Sequence, residues 1–289
     1  MELNKDYIKS ILPFRNPKGH KGTFGSALLI TGSYSMAGAA ILSGSSANRC
    51  GCGIVRHLLP KSIYEIVSSN VFESVYYPLD ETANGCMKSE SVFKSIKKIP
   101  FDSILIGCGC KNTNETKEVV NNLLLNAKVP IVLDADGINV LKGGIDILKK
   151  SNSNVILTPH LMEFSRISGF SVDDINKNRI ELSADFAKEY NCTIVLKGHN
   201  TLIVNPDGSY FVNTTGNCGM SKGGSGDVLS GMIVSLLAQG VTPANASCIS
   251  VYLHGLAGDI AADRFSQYAM TAHDIVNCIG GAFQSVLKD

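Results

Sequence analysis

Residues 27–59 read ALLITGSYSMAGAAILSGSSANRCGCGIVRHLL. The stretch divides into an apolar, β-prone run at 27–31, a helix of small residues at 38–49 and a second β-prone run at 53–59. The same alternation continues down the chain. Residues 103–107, 130–133 and 154–157 read as strands, followed by helical patterns at 114–125, 138–141 and around 163–167. Residues 173–190 read as one long amphipathic helix, 193–196 and 201–204 as a strand pair, and 227–238, 243–263 and 272–287 as closing helices. Such alternation predicts an α/β fold, a mostly parallel central sheet with helices on both faces. No linker or internal repeat divides the chain, so residues 1–289 are expected to form a single domain. Ligands of such sheets sit beyond the carboxyl ends of the strands. The segments there are Gly32-Ser33, 107–110, 134–137, 158–160 and 197–200.

Hydrophobic residues make up 44% of the chain, charged residues 18%, and the net charge is +1. That composition describes an ordinary globule and carries no field for nucleic acid or a membrane surface. The nine cysteines are odd in number and scattered, which suits a reducing compartment better than a disulfide framework. The first fifteen residues hold no apolar signal region, and no apolar run approaches the ~18 residues of a membrane span. A cytoplasmic protein is expected.

The densest chemical signal is at 216–231, GNCGMSKGGSGDVLSG, with five glycines between Gly216 and Gly226. Gly224 and Gly226, with small Ser225 between them, allow close backbone approach to a ligand. The helix that follows turns its free N–H groups and positive dipole end toward the loop, which makes an anion site suited to phosphate. Asp227 stands inside it. A carboxylate beside phosphate is repelled, so it needs a purpose, and proton abstraction from a hydroxyl attacking phosphorus supplies one. The plain alternative is Asp227 as a helix N-cap in an ordinary glycine loop.

No G-x-G-x-x-G or G-x-x-x-x-G-K-[ST] motif occurs, which argues against standard dinucleotide and P-loop sites. The G-x-S-x-G match at 219–223 follows a turn-like loop, not a strand, and reads as chance. Lys197, Gly198, His199, Asn200 and Thr201 follow an apolar strand and read either as a nucleotide contact or as a polar turn. His160 and Glu163 share one side of a helical turn, which fits acid–base chemistry, a water network, a magnesium site through Glu163, or a capping arrangement. Turn chemistry accounts for Asp134 and Asp136. Cys50-Gly-Cys52 and Cys108-Gly-Cys110 read as buried thiols before they read as a joint zinc site.

Taken together, these segments resemble the nucleotide-dependent NAD(P)H-hydrate dehydratases, of ribokinase-like fold. The resemblance spans roughly His20 to Gly280. It rests on Lys21-Gly22-Thr23-Phe24-Gly25, the run Thr31-Gly32-Ser33-Tyr34-Ser35-Met36-Ala37-Gly38-Ala39-Ala40, Leu133-Asp134-Ala135-Asp136-Gly137, Leu157-Thr158-Pro159-His160, Leu196-Lys197-Gly198-His199-Asn200-Thr201 and the Gly224-Ser225-Gly226-Asp227 element. The last is shared with many sugar and vitamin kinases; the combination is more specific.

The resemblance implies ADP- or ATP-dependent dehydration of the S epimer of hydrated NADH or NADPH (NADHX, NADPHX), a carbon–oxygen lyase reaction that repairs the cofactor. It implies phosphorylation of the C6 hydroxyl with Asp227 as base, the Gly224, Ser225 and Gly226 amides on the transferred phosphoryl, and Mg2+ at the nucleotide phosphates. It assigns Ala39, Gly109, His160 and Asp227 to the hydrated cofactor and Lys197, Gly198, His199, Asn200, Thr201 and Gly226 to the nucleotide. Glu163 would hold magnesium through water. The sequence departs from the family pattern at Ser35, often glycine, at Cys108 and Cys110, often proline and an aliphatic residue, and at Leu161-Met162, often Pro-Gly. Without the epimerase domain that some relatives carry in front, action on one epimer is expected. A homo-oligomer is expected too, with small-residue helices available to pack between subunits. The competing readings are a small-molecule kinase of the same fold and a non-catalytic nucleotide-binding module.

Overall fold

The structure, a computed structural model, describes residues 1–288. After α1 (Lys5–Ile11), strand and helix alternate: β1 (Ser26–Ile30), α2 (Ala37–Arg49), β2 (Ile54–Pro60), α3 (Lys61–Ser68), β3 (Val75–Leu79), α4 (Ser89–Ile96), β4 (Ser103–Ile106), α5 (Asn114–Asn126), β5 (Ile131–Leu133), α6 (Asp136–Asn139), β6 (Val155–Leu157) and α7 (Leu161–Ser168). Then come α8 (Val172–Lys177), α9 (Arg179–Tyr190), β7 (Cys192–Leu196), β8 (Thr201–Val204), β9 (Tyr210–Asn213), α10 (Ser225–Ala238), α11 (Pro243–Ala269) and α12 (Ala272–Leu287). The strands form one nine-stranded sheet in the order β3-β2-β1-β4-β5-β6-β7-β8-β9. Pairing is parallel from β3 through β7 and antiparallel from β7 to β9.

The apolar runs form strands because both of their faces are covered. Successive residues point to opposite sides. Leu29, Leu105, Val132 and Ile156 join the core under α2, α10, α11 and α12, while Leu28, Ile104, Ile131 and Val155 join the one under α5, α7 and α9. Strand order reverses between β1 and β4, which opens a crevice beyond their carboxyl ends, the usual ligand position in such sheets. There Gly32 N donates to Cys108 O at 2.8 Å and Ser33 Oγ to Gly109 O at 2.7 Å.

Three expectations need correction. The single helix at 173–190 is two, α8 and α9, broken at Asn178, whose φ and ψ of −125° and 39° leave the helical region. The amphipathic period runs on across the break, so apolar spacing alone cannot reveal it. Helix α11 extends to Ala269 and kinks at Ser266, φ 69°. The small residues of α2 do not supply a subunit contact: Ala39, Ala40, Ser43, Gly44, Ser46 and Ala47 are buried within the chain. A Cβ on Gly231 of α10 would lie 2.2 Å from Ser43 O and Ser46 Oγ, so the two helices cross almost backbone to backbone. Among the described residues, no helix is long and apolar enough to cross a membrane.

Candidate active site

Helix α10 is capped by Gly224 in the left-handed region, φ 96°, and Asp227 is its third residue. The N-cap reading of Asp227 is therefore replaced: the carboxylate sits inside the first turn, beside amides that have no partner within the helix. Asp227 is half-buried. Burial first, then the nearby charge of Asp134, pushes its pKa up to about 6, against smaller lowering effects of Cys108 and Lys197.

Asp134 ends β5 fully buried and does more than shape a turn. Its Oδ1 accepts from Lys197 Nζ at 2.7 Å and its Oδ2 from Ser230 Oγ at 2.8 Å and Cys108 Sγ at 3.6 Å. Burial opposes both charges, but each outweighs it for the other: Asp134 is held below the usual carboxylate range and Lys197 above the usual lysine value. A Cβ on Gly226 would lie 3.2 Å from Lys197 Nζ, so glycine lets the first turn of α10 rest on this ion pair. Burial, with Asp227 and Asp134 beside it, raises the Cys108 thiol well above its ordinary value.

Of the open readings of His160 and Glu163, the capping arrangement is the one formed. His160 Nδ1 accepts from the amides of Met162 at 3.1 Å and Glu163 at 3.3 Å, and Glu163 Oε2 accepts from His160 N at 2.8 Å. Acceptance at Nδ1 requires an unprotonated nitrogen there. Burial lowers the ring's pKa despite the pull of Glu163. Glu163 is buried, 4.0 Å from Lys197 Nζ, with its other oxygen 3.4 Å from His160 Nε2. The cap takes one Glu163 oxygen, Oε2, and leaves the other, Oε1, as an oxygen donor for magnesium, directly or through water.

The residues expected at the nucleotide come together. Lys197, Gly198, His199, Asn200, Thr201 and Gly226 line a cavity of about 840 Å³ with His160, Ser225 and the loop from Asn213 to Gly223. That volume suits a nucleotide-sized ligand. Arg179 fixes its rim, donating to the carbonyls of Leu196, His199 and Asn200 at 2.8–3.0 Å. Asp259 fixes the glycine loop through Gly216 N and Asn217 Nδ2, both at 2.9 Å. Ala39, Gly109, Asp227 and Glu163 do not line this cavity. Ala39 and Gly109 meet at the β1–β4 crevice, where a Cβ on Gly109 would lie 2.8 Å from Ala39 Cβ. Ser35 keeps a glycine-like φ of 74°. Among the described residues the four cysteines of the two Cys-Gly-Cys segments form no joint metal cluster. Sequence reasoning missed Arg179, Ser230 and Asp259; Asp134 carried the one available signal, a carboxylate ending an apolar strand.

The NAD(P)H-hydrate dehydratase family matches residues 27–280. The chain belongs to that family. It is 33% identical over 271 residues to the ADP-dependent (S)-NAD(P)H-hydrate dehydratase of Bacillus subtilis, covering 94% of this chain and 93% of that one. It is 36% identical over 276 residues to a bifunctional NAD(P)H-hydrate repair enzyme of Moorella thermoacetica, covering 95% of this chain and 52% of the relative. The chain thus spans about half the length of the bifunctional relatives it matches. A crystal structure of the B. subtilis ADP/ATP-dependent NAD(P)H-hydrate dehydratase, co-crystallised with ATP and Mg2+, superposes with a TM-score of 0.86 at 31% identity, covering 98% of this chain and 97% of that one. The dehydratase fold is ribokinase-like.

Proposed function

We propose that this chain is a nucleotide-dependent (S)-NAD(P)H-hydrate dehydratase working as one ribokinase-like domain over 1–289. The observation that carries the reading is Asp227. Its carboxylate, with pKa about 6, stands in the first turn of α10 beside Cys108, the residue before Gly109 of the crevice. Asp227 takes the proton of the C6 hydroxyl as that oxygen attacks the terminal phosphoryl of ADP or ATP. The amides of Gly224, Ser225 and Gly226 receive the charge that builds on the phosphoryl oxygens. Phosphate then leaves C6 and a proton leaves the neighbouring ring carbon, re-forming the double bond. Lys197 to Thr201 and Gly226 hold the nucleotide. Ala39, Gly109 and His160 hold the hydrated cofactor. Magnesium, when bound, would neutralise phosphate charge, and Glu163 would hold it through water.

ADP is the expected donor, following the names of the full-length relatives, in the cytoplasm and as a homo-oligomer. The family match and the Ala39–Gly109 crevice favour dehydration over a vitamin or sugar kinase. The test is to mix the protein with hydrated NADH, Mg2+ and ADP or ATP and follow the return of reduced-nicotinamide absorbance. No return with either nucleotide overturns the reading; return with accumulation of a stable phosphorylated product would favour the kinase alternative.

A further inference from the structure

Two buried side chains without a part in that chemistry, Cys108 and Asp134, stand beside Asp227. Cys108 Sγ and one oxygen each of Asp134 and Asp227 all lie within 4.8 Å of one another. They come from three elements: the ends of β4 and β5, and the first turn of α10. From these we infer a binding site for a thiophilic divalent cation such as Zn2+, built on Cys108, Asp134 and Asp227.

The donor spacing fits. At zinc bond lengths of about 2.3 Å to sulfur and about 2.1 Å to carboxylate oxygen, two ligands on a tetrahedron stand about 3.6 Å apart. Cys108 Sγ and Asp134 Oδ2 are 3.6 Å apart. Asp227, the half-exposed member, has an oxygen within 4.8 Å of both and would close in on a bound ion from the solvent side. Charge fits as well. The carboxylates of Asp134, Asp227 and Glu163 face one ammonium, Lys197, which is committed to Asp134 Oδ1. A divalent cation offsets that excess, and the thiol proton passes to solvent as sulfur binds. Donor chemistry selects the ion. Mg2+ takes oxygen ligands and gains nothing from a thiol, whereas Zn2+ prefers the mixed set. Bound zinc occupies the carboxylate of Asp227, so the site makes the enzyme sensitive to free zinc in the presence of magnesium. That inhibition rests on Asp227 as the base; the metal site itself does not.

Cobalt(II) is the direct probe, because thiolate ligation gives it a charge-transfer absorption in the near ultraviolet. One equivalent added to the full chain should produce the band. Cys108→Ala should abolish it, and Cys218→Ala, which removes the exposed thiol, should not. Zinc affinity, measured by competition with cobalt, should fall about 100-fold or more in Cys108→Ala. In the repair assay at saturating Mg2+, zinc should inhibit the wild type and lose its effect on Cys108→Ala, each compared with its own zinc-free rate. Absence of the band in the wild type, or its persistence in Cys108→Ala that retains the wild-type circular dichroism spectrum, overturns the site. A protein with the band but no repair activity keeps the site and overturns the dehydratase reading instead.

Discussion

Asp227 is kept poorly solvated and near a second carboxylate, and this has consequences for rate and for stability. A base must be ionised to accept a proton. With a pKa of about 6, kcat/KM should rise with pH through that value and level off above it, measured from pH 5 to 8. Asp227→Asn should lower turnover by about 10²–10⁴-fold while nucleotide binding, measured by calorimetry, persists. The stability effect has the opposite sign. The folded pKa lies above the unfolded value of about 3.9, so ionisation penalises the fold above pH 6 and the penalty fades as pH falls toward 4. Asp227→Asn should therefore be more stable at pH 7, by about 1–3 kcal/mol in denaturant titrations. Asp134 behaves differently because its charge is matched. Lys197→Met would leave that carboxylate buried and unpaired at a cost of about 3–5 kcal/mol, and adding Asp134→Asn should recover part of the loss. Asp227 was legible as a chemical group because it interrupts a glycine-rich anion loop. The pairing of Asp134 with Lys197, 63 residues apart, was not, since only the side-by-side placement of β5, β6 and β7 brings them together.

At the scale of elements, the buried parallel strands were readable because a short, unbroken apolar run bounded by glycine or polar residues suits a strand covered on both faces. Strand β3, Val75–Leu79, was not: it lies at the sheet edge, half-exposed, and contains Pro78, so neither continuous apolarity nor clean alternation marks it. The division of α8 from α9 was equally hidden, yet it matters for the site. Arg179 is the first residue of α9, and the break at Asn178 lets that helix start beneath the rim of the nucleotide cavity. Three carbonyl bonds from one planar guanidinium hold the 196–200 turn, in which Gly198 and Asn200 both have positive φ. Arg179→Lys cannot reproduce that fork. It should raise the KM for nucleotide about tenfold, equivalent to roughly 1.4 kcal/mol, with a smaller change in kcat, as steady-state kinetics would show.

For the molecule as a whole, acid should be the weak side. His57 is fully buried against Tyr76, and burial lowers its pKa to about 3; burial also lowers His254, at the nucleotide cavity, to about 4. Both folded values lie below the unfolded value of about 6.5. Their contribution is thus intact above pH 6.5 and is lost as pH falls toward 4. At pH 5 each costs about 2 kcal/mol, which a fall in Tm between pH 7 and pH 5 should report and His57→Phe should reduce. The reversal of strand order at β1 and β4 has a broader consequence. Every residue lining the nucleotide cavity comes from position 160 onward, while the crevice contacts of Ala39 and Gly109 come from before position 110. On the proposed assignment, donor and acceptor compounds are read by separate stretches of polypeptide that share little beyond Asp134, His160, Lys197 and Asp227. Evolution can recut the acceptor half for a different alcohol and inherit the donor half unchanged, so exchanging residues 27–110 between relatives should swap acceptor choice while leaving nucleotide choice with its original owner.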